Sequence, residues 1–251
     1  MYQSLTGKVA LVTGSSQGIG RQIAETLAAR GARVVVNYPF DGEAPRAADV
    51  VATIEAGGGG AVAVRADVTR LAEIQALFVQ TVERFGAIDI VVSNAGGSSE
   101  FKPIADAGEE EYDRTMALNA KAHFFVLQEA AKAVRDEGRI VVIASTTPDL
   151  AFAGTAIYAG AKAAAATYAR VLAKELGPRG ITVNAISPGL VDTAAMRAAG
   201  NVEERLAMAK RITPLGRVGR PEDIADVVAF VVSEEARWVT AQNLRVGGGV
   251  V

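Results

Sequence analysis

Short runs that are apolar throughout and rich in β-branched residues alternate with longer amphipathic stretches along the chain, and this alternation constrains the fold more than any other feature. Val9–Val12, Arg33–Asn37, Ala61–Arg65, Asp89–Ser93, Arg139–Ala144 and Ile181–Ser187 read as strands, and Asn243–Val246 closes the series. Helical patterns begin near Gly18, Ala44, Leu71, Glu109, Thr155 and Pro221. A strand that is apolar on both sides needs cover on both sides, and helices on both faces of a parallel sheet supply it. The repeated βαβαβ order therefore predicts a doubly wound α/β fold. A chain of 251 residues, half of them apolar, is expected to stay one undivided domain over 1–251. Its one long segment without a strand, about 190–214, carries a helical pattern from Thr193 to Lys210 and is predicted to form a flap over a pocket.

Composition removes several classes of function. Lys and Arg number 26 against 28 Asp and Glu, so a net charge of −2 gives no general grip on nucleic acid or an anionic membrane. Cysteine is absent, which excludes disulfides, thiolate metal sites and a cysteine nucleophile. Met1–Gly7 is short and polar and runs straight into a strand, and no apolar run of about 18 residues occurs, so a cytoplasmic location without a membrane span is expected. His123 is the only histidine and sits mid-helix among Ala122, Phe124 and Phe125, where a packing role is expected; no metal site is predicted.

The first strand leads into Thr13-Gly14-Ser15-Ser16-Gln17-Gly18-Ile19-Gly20 and then a helical pattern from Arg21 to Arg30. Glycine permits the positive φ of a sharp strand-to-helix turn, and without a Cβ it lets a pyrophosphate reach backbone amides at the positive end of a helix. The loop suits a dinucleotide. It points to a Rossmann-type doubly wound sheet.

Tyr158 and Lys162 lie four residues apart in the helix beginning near Thr155, on one helical face. A free phenol has a pKa of ~10, and a neighbouring ammonium lowers it by stabilising the phenolate. Tyr158 could then give a proton to a carbonyl oxygen or take one from an alcohol. Ser145 stands at the C-terminal end of the fifth strand, the edge at which such sheets bind ligands, and its hydroxyl could hold the same oxygen. Thr146 and Thr147 are nearby alternatives.

With these residues in place, the chain resembles the short-chain dehydrogenase/reductase family, in its single-domain branch, over essentially its whole length. The resemblance rests on the Thr13–Gly20 loop, Asp67-Val68 after the third strand, Asn94-Ala95-Gly96 after the fourth, Asn119, Ser145, Tyr158-x-x-x-Lys162 and Pro188-Gly189. It implies that Ser145 orients a carbonyl, Tyr158 is the acid/base, Lys162 lowers its pKa and bonds the nicotinamide ribose, and Asn119 holds a water linking Lys162 to bulk solvent. It implies a sheet of seven parallel strands in the order 3-2-1-4-5-6-7. It further implies cofactor contacts from Gly14, Ser16, Gln17, Gly18, Ile19, Gly20, Asn37, Tyr38, Asp67, Val68, Asn94, Ala95, Gly96, Tyr158 and Lys162, with Pro188, Gly189, Val191 and Thr193 closing over the nicotinamide. Thr13 is expected to brace the loop.

The family's NAD-preferring members carry an acid at position 38, where this chain has Tyr38; its NADP-preferring members carry a cation at position 17 or after the second strand, where it has Gln17 and Pro39. Asn37, Ser15 and Ser16 could bond a 2′-phosphate, and Asp41 could turn toward a 2′-hydroxyl; the missing acid tips the expectation toward NADP over NAD. The resemblance implies hydride transfer between nicotinamide and a carbonyl or alcohol. The substrate would be a small molecule or a 3-oxoacyl thioester, with Arg179, Arg135 and Lys132 either a grip for an acidic carrier protein or solvated helix-end cations. Sugar or small-alcohol dehydrogenation and a non-catalytic redox sensor are the alternatives. A homotetramer is also implied, with the small residues Ala163–Ala166, Thr167 and Ala169 as a helix-packing face.

Overall fold

A computed structural model describes residues 5–97, 101–198 and 202–251. Residues 1–4 of the polar lead and 199–201 of the expected flap lie outside the described residues. The seven strands are β1 (Val9–Val12), β2 (Arg33–Tyr38), β3 (Gly60–Arg65), β4 (Ile90–Ser93), β5 (Arg139–Ile143), β6 (Thr182–Pro188) and β7 (Asn243–Val246). They form one sheet in the order β3-β2-β1-β4-β5-β6-β7, with every described pairing parallel. This is the doubly wound order expected from the sequence.

Alternate residues of the central strands feed opposite cores, which explains why those strands are apolar on both sides, whereas the edge strand β7 packs only Leu244 and Val246 inward. Ala10 and Val12 of β1 join Val34 and Val36 of β2 beneath α1 (Gly18–Ala29), α2 (Ala44–Ala56) and α10 (Pro221–Val231). Leu11 and Val35 face the other way, toward α3 (Leu71–Phe85), α5 (Ala122–Ala133) and α7 (Ala156–Leu176). Each helix contributes one apolar stripe, such as Ile23, Ala24 and Leu27 of α1. Among the described residues no helix is long and apolar enough to cross a membrane.

The helical pattern from Glu109 is not one continuous α-helix. α4 (Glu109–Met116) passes into α5 through a π-helical turn at Ala117–Lys121, where the Ala122 N–H reaches back five residues to the Ala117 carbonyl. Asn119 sits inside that turn. The short α6 (Thr147–Leu150) follows β5, and the flap comprises α8 (Ala194–Ala198) and α9 (Val202–Ile212). The proposed small-residue face of α7 is divided: Ala165 and Ala169 are buried in the protein's own core, while Ala163 and Thr167 are exposed. Helical periodicity turns neighbouring alanines to opposite sides, so a run of them is not one face.

Candidate active site

Strand order reverses between β1 and β4, and the crevice at their C-terminal ends opens into a cavity of about 620 Å³. That volume suits a cofactor or drug-sized ligand. At one end is the turn between β1 and α1. Gly14 has φ +60, and a Cβ built on it would lie 2.9 Å from the Ala95 Cα. Thr13 ties this turn to β4: its hydroxyl accepts the Asn94 N–H at 2.9 Å and the Ala95 N–H at 3.1 Å. The Asn94 amide donates back to the Thr13 and Gly14 carbonyls. Thr193 of the flap lies over Gly18, 3.6 Å from where a Cβ would be. A glycine cradle roofed by the flap at the start of α1 fits a dinucleotide pyrophosphate.

Of the predicted cofactor residues, Gly14, Ser16, Gln17, Gly18, Ile19, Gly20, Asn37, Asp67, Val68, Asn94, Ala95, Gly96, Tyr158, Lys162, Pro188, Gly189, Val191 and Thr193 all line this cavity. Tyr38 is the exception: it packs half-buried against the core beneath α1 and α2. The expectation that Asn37 and Ser15 could bond a 2′-phosphate also needs correction. Asn37 Oδ1 accepts the Gly14 N–H at 3.0 Å, and its Nδ2 donates to the Val64 and Ala66 carbonyls. Ser15 donates to the Val12 carbonyl and accepts the Asn37 N–H. Both side chains fasten β2 to the loop. Asp41 points to solvent, 3.6 Å from Arg65.

The acid at this end is Glu43, which sequence reasoning missed. It lines the cavity, accepts from Ser16 at 3.0 Å and pairs with Arg46 at 2.6 Å. The Glu43/Arg46 spacing at i,i+3 was the available signal. Asp67 accepts the Thr69 N–H and hydroxyl on one carboxylate oxygen, which sets its orientation.

At the other end stand Ser145, Tyr158 and Lys162. Ser145 lies 2.9 Å from the Thr147 hydroxyl and accepts the Thr147 N–H at 3.1 Å. Burial pushes the Tyr158 phenol above its ordinary 10.0, and the neighbouring Ser145 hydroxyl pulls it back. The expected lowering by Lys162 is not what the geometry shows. The Lys162 ammonium is 6.0 Å from the Tyr158 ring centre and turns to the Ile143 carbonyl at 2.9 Å and His123 Nε2 at 3.3 Å. A buried ammonium takes the acceptors nearest to it. Burial also holds its pKa down to about 8.

Asn119 does not line the cavity. Its amide is engaged at both ends, donating to the Thr115 carbonyl and accepting the Gly97 N–H, each at 3.1 Å. It thereby fixes the segment carrying Gly96, where a Cβ would sit 3.0 Å from both Asn119 Oδ1 and Lys162 Nζ. The suggested carrier grip is misplaced as well. Arg179 is bound to Asp136 and to the Ala131 carbonyl, Lys132 to Glu129, and Arg135 to Asp89. These contacts gather around the N-terminal ends of β4 and β5, at the sheet edge opposite the cavity. The sequence marks helix-end cations but not the edge at which they fall.

His123 predicts a pH dependence of stability. Burial, and then the charge of Lys162, keep its pKa well below 6.5. Below pH 6.5 the unfolded chain therefore binds a proton that the folded chain refuses, and stability falls as pH drops. Lys162 acts in another window: its burial cost is full below about 8 and is relieved as pH rises toward 10.5. Asp223, held down to about 2 by Arg217, loses its contribution only below its ordinary 3.8. Melting curves from pH 7 to about pH 5 should show a steady loss that His123→Gln flattens. Equal slopes in both proteins would assign the acid loss elsewhere.

Comparison with known proteins identifies the family. Residues 14–251 match the family described as Enoyl-(Acyl carrier protein) reductase. The chain is 43% identical over 256 residues to the Short chain dehydrogenase/reductase nsrJ of Aspergillus novofumigatus, covering 98% of this chain and 96% of that one. It is 43% identical over 261 residues to the Hydroxynaphthalene reductase-like protein Arp2 of Metarhizium brunneum, covering 99% and 97%. The crystal structure of the angucycline C-6 ketoreductase LanV with bound NADP superposes with a TM-score of 0.91 at 39% identity, covering 99% of this chain and 97% of that one.

Proposed function

Since the chain belongs to the short-chain dehydrogenase/reductase family and is an oxidoreductase, we propose that it is an NADPH-dependent ketoreductase acting on a bulky, predominantly apolar ring ketone. One observation carries the substrate class. The cavity that holds Ser145 and Tyr158 is also lined by the apolar Phe101, Leu118, Leu150, Phe152, Met196, Met208 and Ile212, and besides Lys162 its charged lining residues are Glu43, Asp67 and, on the flap, Arg205. A site of this kind favours a flat apolar body with one polar handle. The ring-ketone chemistry in the names of the hydroxynaphthalene reductase-like relative and the angucycline ketoreductase supports it, as the NADP of the latter supports the cofactor.

When bound, the cofactor supplies the hydride. The chain's own residues position the ketone and deliver a proton. Ser145, oriented by Thr147, holds the carbonyl oxygen beside the Tyr158 hydroxyl, and Tyr158 gives that oxygen its proton. Lys162 holds positive charge at the same end of the cavity. The flap, whose Met196, Met208 and Ile212 line the cavity, excludes water.

The test is a titration with NADPH and NADH by nicotinamide fluorescence, followed by a panel of fused-ring ketones, sugars, small alcohols and 3-oxoacyl thioesters. Ring ketones should exceed the others in kcat/KM by ~10-fold or more. Fastest turnover of a thioester would overturn the substrate class, and binding without any turnover would favour the sensor reading. A cytoplasmic homotetramer is part of the same proposal. On the outer faces of α5 and α7, Phe124 is exposed and edge-on to Tyr168 at 5.4 Å, with Val171 exposed nearby on α7, and light scattering measures the assembly.

A further inference from the structure

The buried imidazole of His123 lies next to the lysine of the site, and the oxidoreductase reading gives it no task. Its side chain is 1% exposed, Ser93 on β4 is 1% exposed and Lys162 on α7 is 3% exposed. His123 Nδ1 is 2.7 Å from Ser93 Oγ, and Nε2 is 3.3 Å from Lys162 Nζ. An ammonium has no lone pair, so at Nε2 the ring must be the acceptor. The ring proton then sits on Nδ1, and Ser93 Oγ accepts it. The ammonium thus sets the tautomer of the histidine, and the hydroxyl of Ser93 at the end of β4 meets it as acceptor.

We propose that His123 is a positioning residue for Lys162: as the Nδ1–H tautomer, with Ser93 accepting that proton, it accepts one ammonium proton on Nε2 while the Ile143 carbonyl takes a second, leaving the third for the cavity. This rests on the oxidoreductase reading for its purpose but not for its geometry. A lysine on a flexible stem would otherwise sample several rotations about its last bond. With two protons held by groups from α5 and β5, the remaining N–H has one direction.

The surroundings keep the pair in one protonation state. Lys162 is the charged group acting on His123, and with burial it favours the neutral imidazole. The buried positions of α3, packed against α5, are the uncharged Ile74, Leu77, Phe78 and Thr81. Lys121 of the π-helical turn is exposed, and Glu111 of α4 is paired with Lys102. Arg139 of β5 bonds the Glu137 and Gly138 carbonyls at the far end of its strand. Tyr158, one turn before Lys162, is neutral because burial raises its pKa. The shared proton therefore stays on Lys162 at neutral pH.

A single histidine makes the test direct, because protein labelled with 15N-histidine gives one pair of ring signals. At pH 7 the coupled proton should be on Nδ1 with Nε2 bare. The Nε2 signal should move as pH rises through about 8, where Lys162 loses its proton, and should cease to move in Lys162→Met. An Nε2–H tautomer at pH 7, or an Nε2 signal indifferent to Lys162→Met, would overturn the proposal even if turnover is intact. In kinetics, His123→Leu removes the acceptor and His123→Gln retains one. The Leu variant should lose about tenfold in kcat with little change in KM. Its alkaline limb should move to lower pH, and Gln should restore the wild-type profile. A folded Leu variant with the wild-type profile would reduce the contact to packing. Where that variant does not fold, the tautomer of the native protein decides.

Discussion

Tyr158→Phe should lower kcat by about 10³-fold while NADPH binds as before, a loss within the range that positioned proton transfer contributes. The substitution removes one oxygen. Ser145 keeps its contacts with Thr147, and Lys162 keeps its contacts with Ile143 and His123, so the rest of the site has no reason to move. Single-turnover mixing of enzyme, NADPH and ketone isolates the chemical step, and nicotinamide fluorescence reads binding. The expected pattern is unchanged fluorescence enhancement with hydride transfer nearly abolished. Undiminished turnover would assign the proton to another group, and Ser145 would be the first to examine. Weakened binding instead would make the phenol a cofactor contact before an acid.

Gly14→Val should weaken NADPH binding by about 100-fold or more and lower the melting temperature. Two separate costs arise at this position. A non-glycine residue at φ +60 is strained by roughly 1–3 kcal/mol, more when β-branched. The new Cβ also meets Ala95 Cα at 2.9 Å and Ala95 Cβ at 3.0 Å, forcing the glycine turn away from β4. The turn cannot shift without breaking the Gly14 N–H bond to Asn37 or the Thr13 tie to Asn94 and Ala95. In a chain of this size each kcal/mol lowers the melting temperature by about 2–4 °C. Gly58→Ala is the matched control: φ is +81, but nothing lies within 4 Å of the added Cβ. It should cost some stability and leave NADPH binding untouched. Equal binding losses in both variants would make general destabilisation the cause.

Much of this fold was legible because its strands are buried on both faces. The observed bounds of β1 and β7 coincide with the expected ones, those of β2, β3, β4 and β5 differ by one residue at one end, and β6 is shifted by one residue at both; in the central strands, burial of both faces leaves continuous runs such as Val34-Val35-Val36. The π-helical turn at Ala117–Lys121 was not legible, since its sequence has the composition of ordinary helix. Nor was the division of the α7 alanines between core and surface. Asn37 and Ser15 show the same limit in a polar setting. Their residue types suit a phosphate, yet their partners are backbone groups of the loop and of β3. A sequence gives hydrogen-bonding capacity, and only the neighbours decide where it is used.

By itself the sequence determined the doubly wound sheet, the glycine turn after β1, the shared helical face of Tyr158 and Lys162 and the position of Ser145 at the end of its strand, because each follows from local periodicity or short spacing. Tertiary structure decided what those residues touch. It set Glu43 against Ser16, carried Arg179, Arg135 and Lys132 to the opposite sheet edge, and drew His123 from α5 and Ile143 from β5 to the ammonium of Lys162, with Ser93 of β4 on the far side of the imidazole. Contacts between elements depend on sheet order and helix rotation, which the whole chain fixes together and no single segment contains.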